Sequence, residues 1–125
     1  MSENNVYKIL RTNEWEEASQ TGSILSEVDI KDGFIHLSTA VQLAATLSFF
    51  FKDSETVLLL QLDMEKIEIN KLIFEGPIPN DGLRKGSFPH LYSELTTDQI
   101  SNVWTIERGA FSLPQEVMLQ AENVT

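Results

Sequence analysis

His36 and His90 are the only two histidines in the chain, and each is followed two positions later by a hydroxyl: Ser38 after His36, and Tyr92 after His90. In an extended segment residues i and i+2 share a face, so each segment offers an imidazole beside a hydroxyl. Two such pairs in one cleft would make a polar site with hydrogen-bond donors, acceptors and a proton carrier that works near neutral pH. A single histidine in an apolar strand is more simply a core residue bonded to a backbone carbonyl. Both readings stand for either histidine alone. The repeat, and the position of both residues at loops or element ends where sites concentrate, is what brings a shared site into view. On this reading His36, His90 and Tyr92 are the catalytic candidates, and Ser38 and Thr39 are ligand-binding candidates beside His36.

Arg84-Lys85 is the only adjacent basic pair, and it lies in a glycine- and proline-rich stretch, Gly76–Gly86. Arginine can grip a phosphate or carboxylate with two parallel hydrogen bonds, so Arg84 and Lys85 are candidates for an anionic ligand. A solvated loop tip is the plainer alternative. Arg11, just after the first apolar run, is a candidate on the same terms. Stretches as long and irregular as Gly76–Gly86 are often functional, and the basic pair suggests a mobile lid over an anion.

Other chemistries find no footing. There is no glycine-rich phosphate loop or dinucleotide fingerprint, and no Gly-x-Ser-x-Gly elbow. The absence of cysteine removes disulfides, thiolate metal sites and cysteine nucleophiles. A metal would need both histidines plus a carboxylate, without any close ligand spacing, so no metal is expected.

These residues must be placed by a small set of elements. Val6–Leu10 reads as a first strand. Asn13, with Glu16 three residues on, reads as the cap of a helix that buries Trp15 and Ala18 and stops at Gly22. Residues 24–30 carry no clear signal. Asp32-Gly33 marks a turn, and Phe34–Leu37 follows as a short strand. Ser38 or Thr39 caps a helix running to about Lys52, with Ala40, Ala44, Leu47 and Phe51 as its buried stripe and Leu43 and Phe50 flanking it. Thr56–Met64 is the clearest strand, and Val57–Leu60 suggests a central position buried on both faces. A strand within Glu68–Glu75, a segment Phe88–Tyr92, a short helix capped by Thr96 with Gln99, and a last strand Val103–Glu107 complete the order. Trp15, Trp104 and the Phe49–Phe51 cluster read as core. Strands and helices mix without a regular βαβ alternation, so the fold class is α+β.

A length of 125 residues fits one domain spanning 1–125, with an acidic tail over 115–125. With 42% apolar and 22% charged residues the chain sits near the globular average. Its formal net charge of -10 repels the phosphates of duplex nucleic acid and anionic lipid, so neither is an expected partner, whereas a small-molecule ligand is. The first residues lack a basic stretch followed by an apolar run, and the longest apolar stretch falls short of the ~20 residues a membrane helix needs. A cytoplasmic location is the expectation. Nothing in the sequence bears on oligomeric state.

Taken together, Val6-Tyr7-Lys8-Ile9, Glu14-Trp15, Asp32–Ala40, Gln42, the Phe50 region, Val57-Leu58-Leu59 and Phe88–Tyr92 resemble the uncharacterised bacterial family called domain of unknown function 952. The resemblance covers about residues 6–114. It implies a small α+β domain with a split, mixed or antiparallel sheet and flanking helices, related to the ADP-ribosyltransferase fold. His36-Leu37-Ser38 is also similar to the His-Leu-Ser segment of RNA 2'-phosphotransferases, which share that fold. In such enzymes a central cleft holds a nicotinamide- or ADP-ribose-type ligand, which makes an NAD-like ligand the implied one. The chain departs from those enzymes at the end of the first strand, where Tyr7–Arg11 stands in place of a histidine or arginine motif. It also lacks a clear catalytic glutamate, Glu107 being the candidate. Three roles therefore stand: a group transferase, a non-catalytic module for a metabolite or partner, and a purely structural use of both histidines.

Overall fold

The structure, a computed structural model, describes residues 5–76 and 86–107 together with Pro114, Glu116, Val117 and Gln120. Arg84 and Lys85, most of the stretch expected to form a lid, and most of the acidic tail lie outside the described residues.

Strand β1 (Val6–Arg11) leads directly into helix α1 (Thr12–Thr21). The helix begins earlier than the Asn13–Glu16 pattern implies, because Glu14 Oε1 reaches back to accept the Arg11 amide at 2.8 Å. Its other oxygen accepts the Glu27 amide at 3.0 Å, tying the start of α1 to the start of α2 (Glu27–Asp32). The α1 helix stops at Gly22, which takes a left-handed φ of 82°, as its sequence position implies.

The segment without a clear signal thus holds a short helix. Its capping box runs from Ser26 to Asp29: Ser26 Oγ accepts the Asp29 amide at 3.3 Å and Asp29 Oδ2 accepts the Ser26 amide at 2.9 Å. Gly33 closes it with φ of 85°, so the Asp32-Gly33 turn is a helix terminus. Then follow β2 (Ile35–His36), β3 (Ser38–Thr39), a 3-10 turn over Ala40–Gln42 and α3 (Leu43–Phe50). The chain continues with β4 (Thr56–Leu62), β5 (Leu72–Glu75), β6 (Phe88–Leu91) and β7 (Ile100–Glu107). Between β6 and β7 a 3-10 turn follows Thr96, whose amide is accepted by Gln99 as the sequence suggests.

The strands form two sheets, one in the order β3-β1-β4-β7 and the other β2-β6-β5. All pairings among the described strands are antiparallel. The architecture is therefore α+β, with no parallel pairing in the described residues. The interior position inferred for β4 holds, since it lies between β1 and β7 and buries both faces. Alternation sorts its side chains: Leu58, Leu60 and Leu62 join Val6 and Leu10 in one core with Ala18, Ile35 and Leu91. On the other face Val57 and Leu59 join Tyr7 and Ile9 against α3.

The buried stripe of α3 differs from the expected one. Leu43 and Leu47 point inward with Ala40 and Phe51, while Ala44 is exposed. A 3-10 turn precedes α3 and rotates its register, and the apolar face is narrower than its composition suggests. Of the phenylalanine cluster only Phe51 is buried; Phe49 and Phe50 are exposed. Trp15 and Trp104 are half-buried at the borders of the two cores.

One local feature places the histidines. Leu37 donates its amide to Pro89 O at 3.0 Å, but Pro89 has no N–H to return. The β2–β6 ladder ends there, and the chain crosses at Leu37 from one sheet to the other. The neighbouring pair, His36 opposite His90, thus occupies the non-hydrogen-bonded register, where Cα atoms are ~4.5 Å apart and side chains come closest.

Candidate functional site

His36 and His90 face each other across two strands with ring centroids 5.4 Å apart. Phe34 touches both, at 4.4 Å from the His36 ring and 4.2 Å from His90, and also meets the Tyr92 ring at 5.2 Å. The two imidazoles lie together on neighbouring strands, with His90 2% exposed and His36 Nε2 enclosed. Phe34 and His90 are buried, so this aromatic cluster is packed within the protein and only Tyr92 is exposed at its edge.

His36 lies on an edge strand, so its backbone groups point away from β6 and need partners. Asp29 and Lys8 supply them. The His36 amide donates to Asp29 Oδ1 at 2.8 Å, and Lys8 Nζ donates to His36 O at 3.0 Å. The ring is held by the same carboxylate, with Nδ1 2.8 Å from Asp29 Oδ1. Asp29 Oδ2 pairs with Lys8 Nζ at 2.7 Å, and both side chains are almost fully buried. Burial raises the Asp29 pKa, but the His36 hydrogen bond and the Lys8 ammonium together lower it by more, leaving it well below the usual carboxylate range. Burial in turn holds the Lys8 ammonium below its ordinary pKa, with Asp29 pulling the other way. The second ring nitrogen of His36 is enclosed: Nε2 lies 3.0 Å from Asp32 Oδ2 without an aligned hydrogen bond.

His90 is held in a parallel manner. Its Nδ1 lies 2.7 Å from Glu75 Oε2, and the same oxygen accepts the Tyr92 hydroxyl. Glu75 sits diagonally across from His90, whose direct β5 partner is Ile73. The hydrogen bonds from Tyr92 and His90 lower the Glu75 pKa, and Glu75 raises that of Tyr92. The His90 side chain is 3% exposed and that of Glu75 34%, so the pair runs from the interior to the surface. Each histidine thus has its Nδ1 committed to a carboxylate, which orients the ring.

The remaining candidates fall elsewhere. The i, i+2 reading works for His90 and Tyr92, which converge on Glu75, but the strand containing His36 ends before Ser38. Ser38 pairs with Tyr7 in the other sheet, and its hydroxyl meets Thr46 Oγ1 at 3.2 Å. The Thr39 amide donates to Gln42 Oε1 at 3.0 Å, making it a cap. Arg11 donates to Phe50 O at 3.0 Å, lies 3.5 Å from Asp53 and covers the Phe51 ring at 4.7 Å. It also borders an open groove of about 280 Å³ with Thr12, Asn13, Ser54, Glu55 and Thr56. Glu107 Oε1 accepts from Thr56 at 3.1 Å, whereas the carboxylates that contact the histidines are those of Asp29, Asp32 and Glu75. Among the described residues no three histidine or acidic side chains converge as a metal site would need. Nor is any helix there long and apolar enough to cross a membrane.

Asp29, Lys8, Asp32 and Glu75 did not figure in the sequence reading of the site. Ser26-x-x-Asp29 is a capping pattern that marks Asp29, and Lys8 is the one charge inside the apolar run Val6–Leu10. Glu75 depends on strand register and leaves no local trace.

The chain belongs to the family described as protein of unknown function (DUF952), which matches residues 9–103. It is similar to the X-ray crystal structure of protein CC0527 from Caulobacter crescentus, at 30% identity and TM-score 0.75 over 94% of this chain and 99% of that one. The solution NMR structure of the same protein gives 30% identity and TM-score 0.69, covering 86% of each chain. No curated protein matches the chain.

Proposed function

We propose that this chain binds a nucleotide-type ligand of the ADP-ribose or NAD kind at the Phe34–His36–His90–Tyr92 face and transfers a group from it. The observation that carries this reading is the cross-strand pair of imidazoles, each held at Nδ1 by a carboxylate. Accepting a proton at one imidazole and delivering one from the other would assist a transfer between two oxygen or nitrogen atoms, with side-chain rotation at Asp32 opening His36 Nε2. Tyr92, 44% exposed, adds a ring and a hydroxyl at the surface, with Phe34 packed behind it. The two separate antiparallel sheets support an ADP-ribosyltransferase-like relationship as part of the same reading.

Charge assigns the two ends of such a ligand. Lys8 is committed to Asp29, while Asp32 and Glu75 flank the histidines. This face suits a ribosyl or nicotinamide end. The phosphates fall to Arg84 and Lys85 in this reading. Titration calorimetry with ADP-ribose and NAD, with chromatography of released nicotinamide, tests it. Binding at sub-millimolar concentration, lost in His36→Ala and His90→Ala while both variants stay folded, is the expected result. No heat up to millimolar ligand on folded protein overturns it.

A second reading, a non-catalytic metabolite-binding module, is favoured by the enclosure of His36 Nε2 beside Asp32 and by the 3% exposure of the His90 side chain. Binding without any product is its signature.

A further inference from the structure

We infer that Lys8 is a positioning residue that, through Asp29, fixes which nitrogen of His36 exchanges protons. The inference deepens the acid–base role proposed above and rests on it. It starts from the accounting at Asp29. Oδ1 faces the His36 amide and His36 Nδ1, both at 2.8 Å, and Oδ2 accepts the Ser26 amide at 2.9 Å and faces Lys8 Nζ at 2.7 Å. Each oxygen has two partners, so no position is left for a proton of its own.

An Asp29 that only accepts requires His36 Nδ1 to donate. The neutral ring is then the Nδ1–H tautomer, with its lone pair on Nε2. A proton that His36 gains enters at Nε2, where Asp32 Oδ2 lies 3.0 Å away. The arrangement depends on the buried ammonium. Lys8 is 2% exposed on the central strand β1, and its other contacts, Ser26 Oγ at 3.2 Å and His36 O at 3.0 Å, hold it against Asp29. With Lys8 absent, a carboxylate buried this deeply takes up a proton rather than stay charged. A protonated Asp29 would donate to Nδ1, the tautomer would invert, and Nε2–H would turn to Asp32. The neutral ring could then no longer accept a proton at Nε2.

The test reads the tautomer directly. With only two histidines in the chain, ¹⁵N-detected imidazole spectra resolve each ring, at a pH where both are neutral. The intact protein should show His36 as Nδ1–H. Lys8→Met should convert His36 to Nε2–H, while His90, held by Glu75, keeps Nδ1–H and serves as the internal control. If Lys8→Met does not fold, Lys8→Gln removes the charge while keeping a polar side chain and is expected to give the same inversion. His36 already Nε2–H in the intact protein, or still Nδ1–H in a folded variant, overturns the inference. The measurement needs no ligand. Failure of ADP-ribose to bind therefore overturns the proposed function alone, and an unchanged tautomer overturns only the role of Lys8.

Discussion

Asp29 gathers more of the site than either histidine. It caps α2, orients the His36 ring, accepts the His36 amide and neutralises Lys8. Removing one partner of a buried ion pair leaves the other charged and enclosed, which costs ~3–5 kcal/mol. Asp29→Ala is expected to fall in that range in urea-monitored unfolding, and a loss well under half of it would mean that Lys8 finds another partner or water. The two histidines and Tyr92 were legible because a hydroxyl two residues after an imidazole is a pattern written in consecutive positions. Ser38 carries the same pattern and goes elsewhere, since the strand breaks at Leu37. Asp29 and Glu75 reach the rings from other elements, and that proximity is a product of register and helix docking.

Among the elements, the central strand, the α1 helix with its Gly22 stop and the Thr96 cap follow from runs and punctuation in the chain. The α2 helix does not, because six residues are too few to show a period. Its stability rests on ends rather than length, as expected for a helix far shorter than isolated helices require. Ser26 Oγ both caps the helix and accepts from Lys8. Ser26→Ala is therefore expected to cost ~1–2 kcal/mol, the upper part of the usual capping range. It should also loosen the His36 ring, visible as broadened imidazole signals. A cost near zero with sharp signals would show that Asp29 holds its place without the cap.

For the molecule as a whole, the two faces of the larger sheet are unequal. One encloses the Lys8–Asp29 pair, and the other encloses Tyr7, which is fully buried with a hydroxyl that has no hydrogen-bond partner among the described residues. Burial, reinforced by Glu116, pushes the Tyr7 phenol up to about 12. A raised folded-state value favours the protonated form on folding. Its contribution is complete below the unfolded value of ~10 and is lost as pH rises from there through about 12. Stability should fall by about 2 kcal/mol across that window at one pKa unit per ~1.4 kcal/mol, and Tyr7→Phe should flatten the fall. An unchanged alkaline slope in the variant would assign it to other groups. Neither this asymmetry nor the division into two sheets can be read from a strand order. The first follows from the alternation of Tyr7 and Lys8 along β1, and the second from the chain's crossing at Leu37 opposite Pro89.

That crossing has a bearing on how the site can open. The stretch from Ile35 to Thr39 is bonded to one sheet at its start and to the other at its end, so it acts as a stitch between them. Backbone fluctuations that free His36 must loosen both sheets at once, which makes a local opening about as costly as global unfolding. Native-state hydrogen exchange should therefore give the amides of Ile35, Leu37 and His90 similar opening free energies, close to that of the β4 amides. Much faster exchange at Leu37 alone would show that the stitch can part. With the backbone held in this way, a ligand gains access by rotation of side chains such as Tyr92 and Asp32, and binding at this face should be fast and leave the exchange pattern of both sheets unchanged.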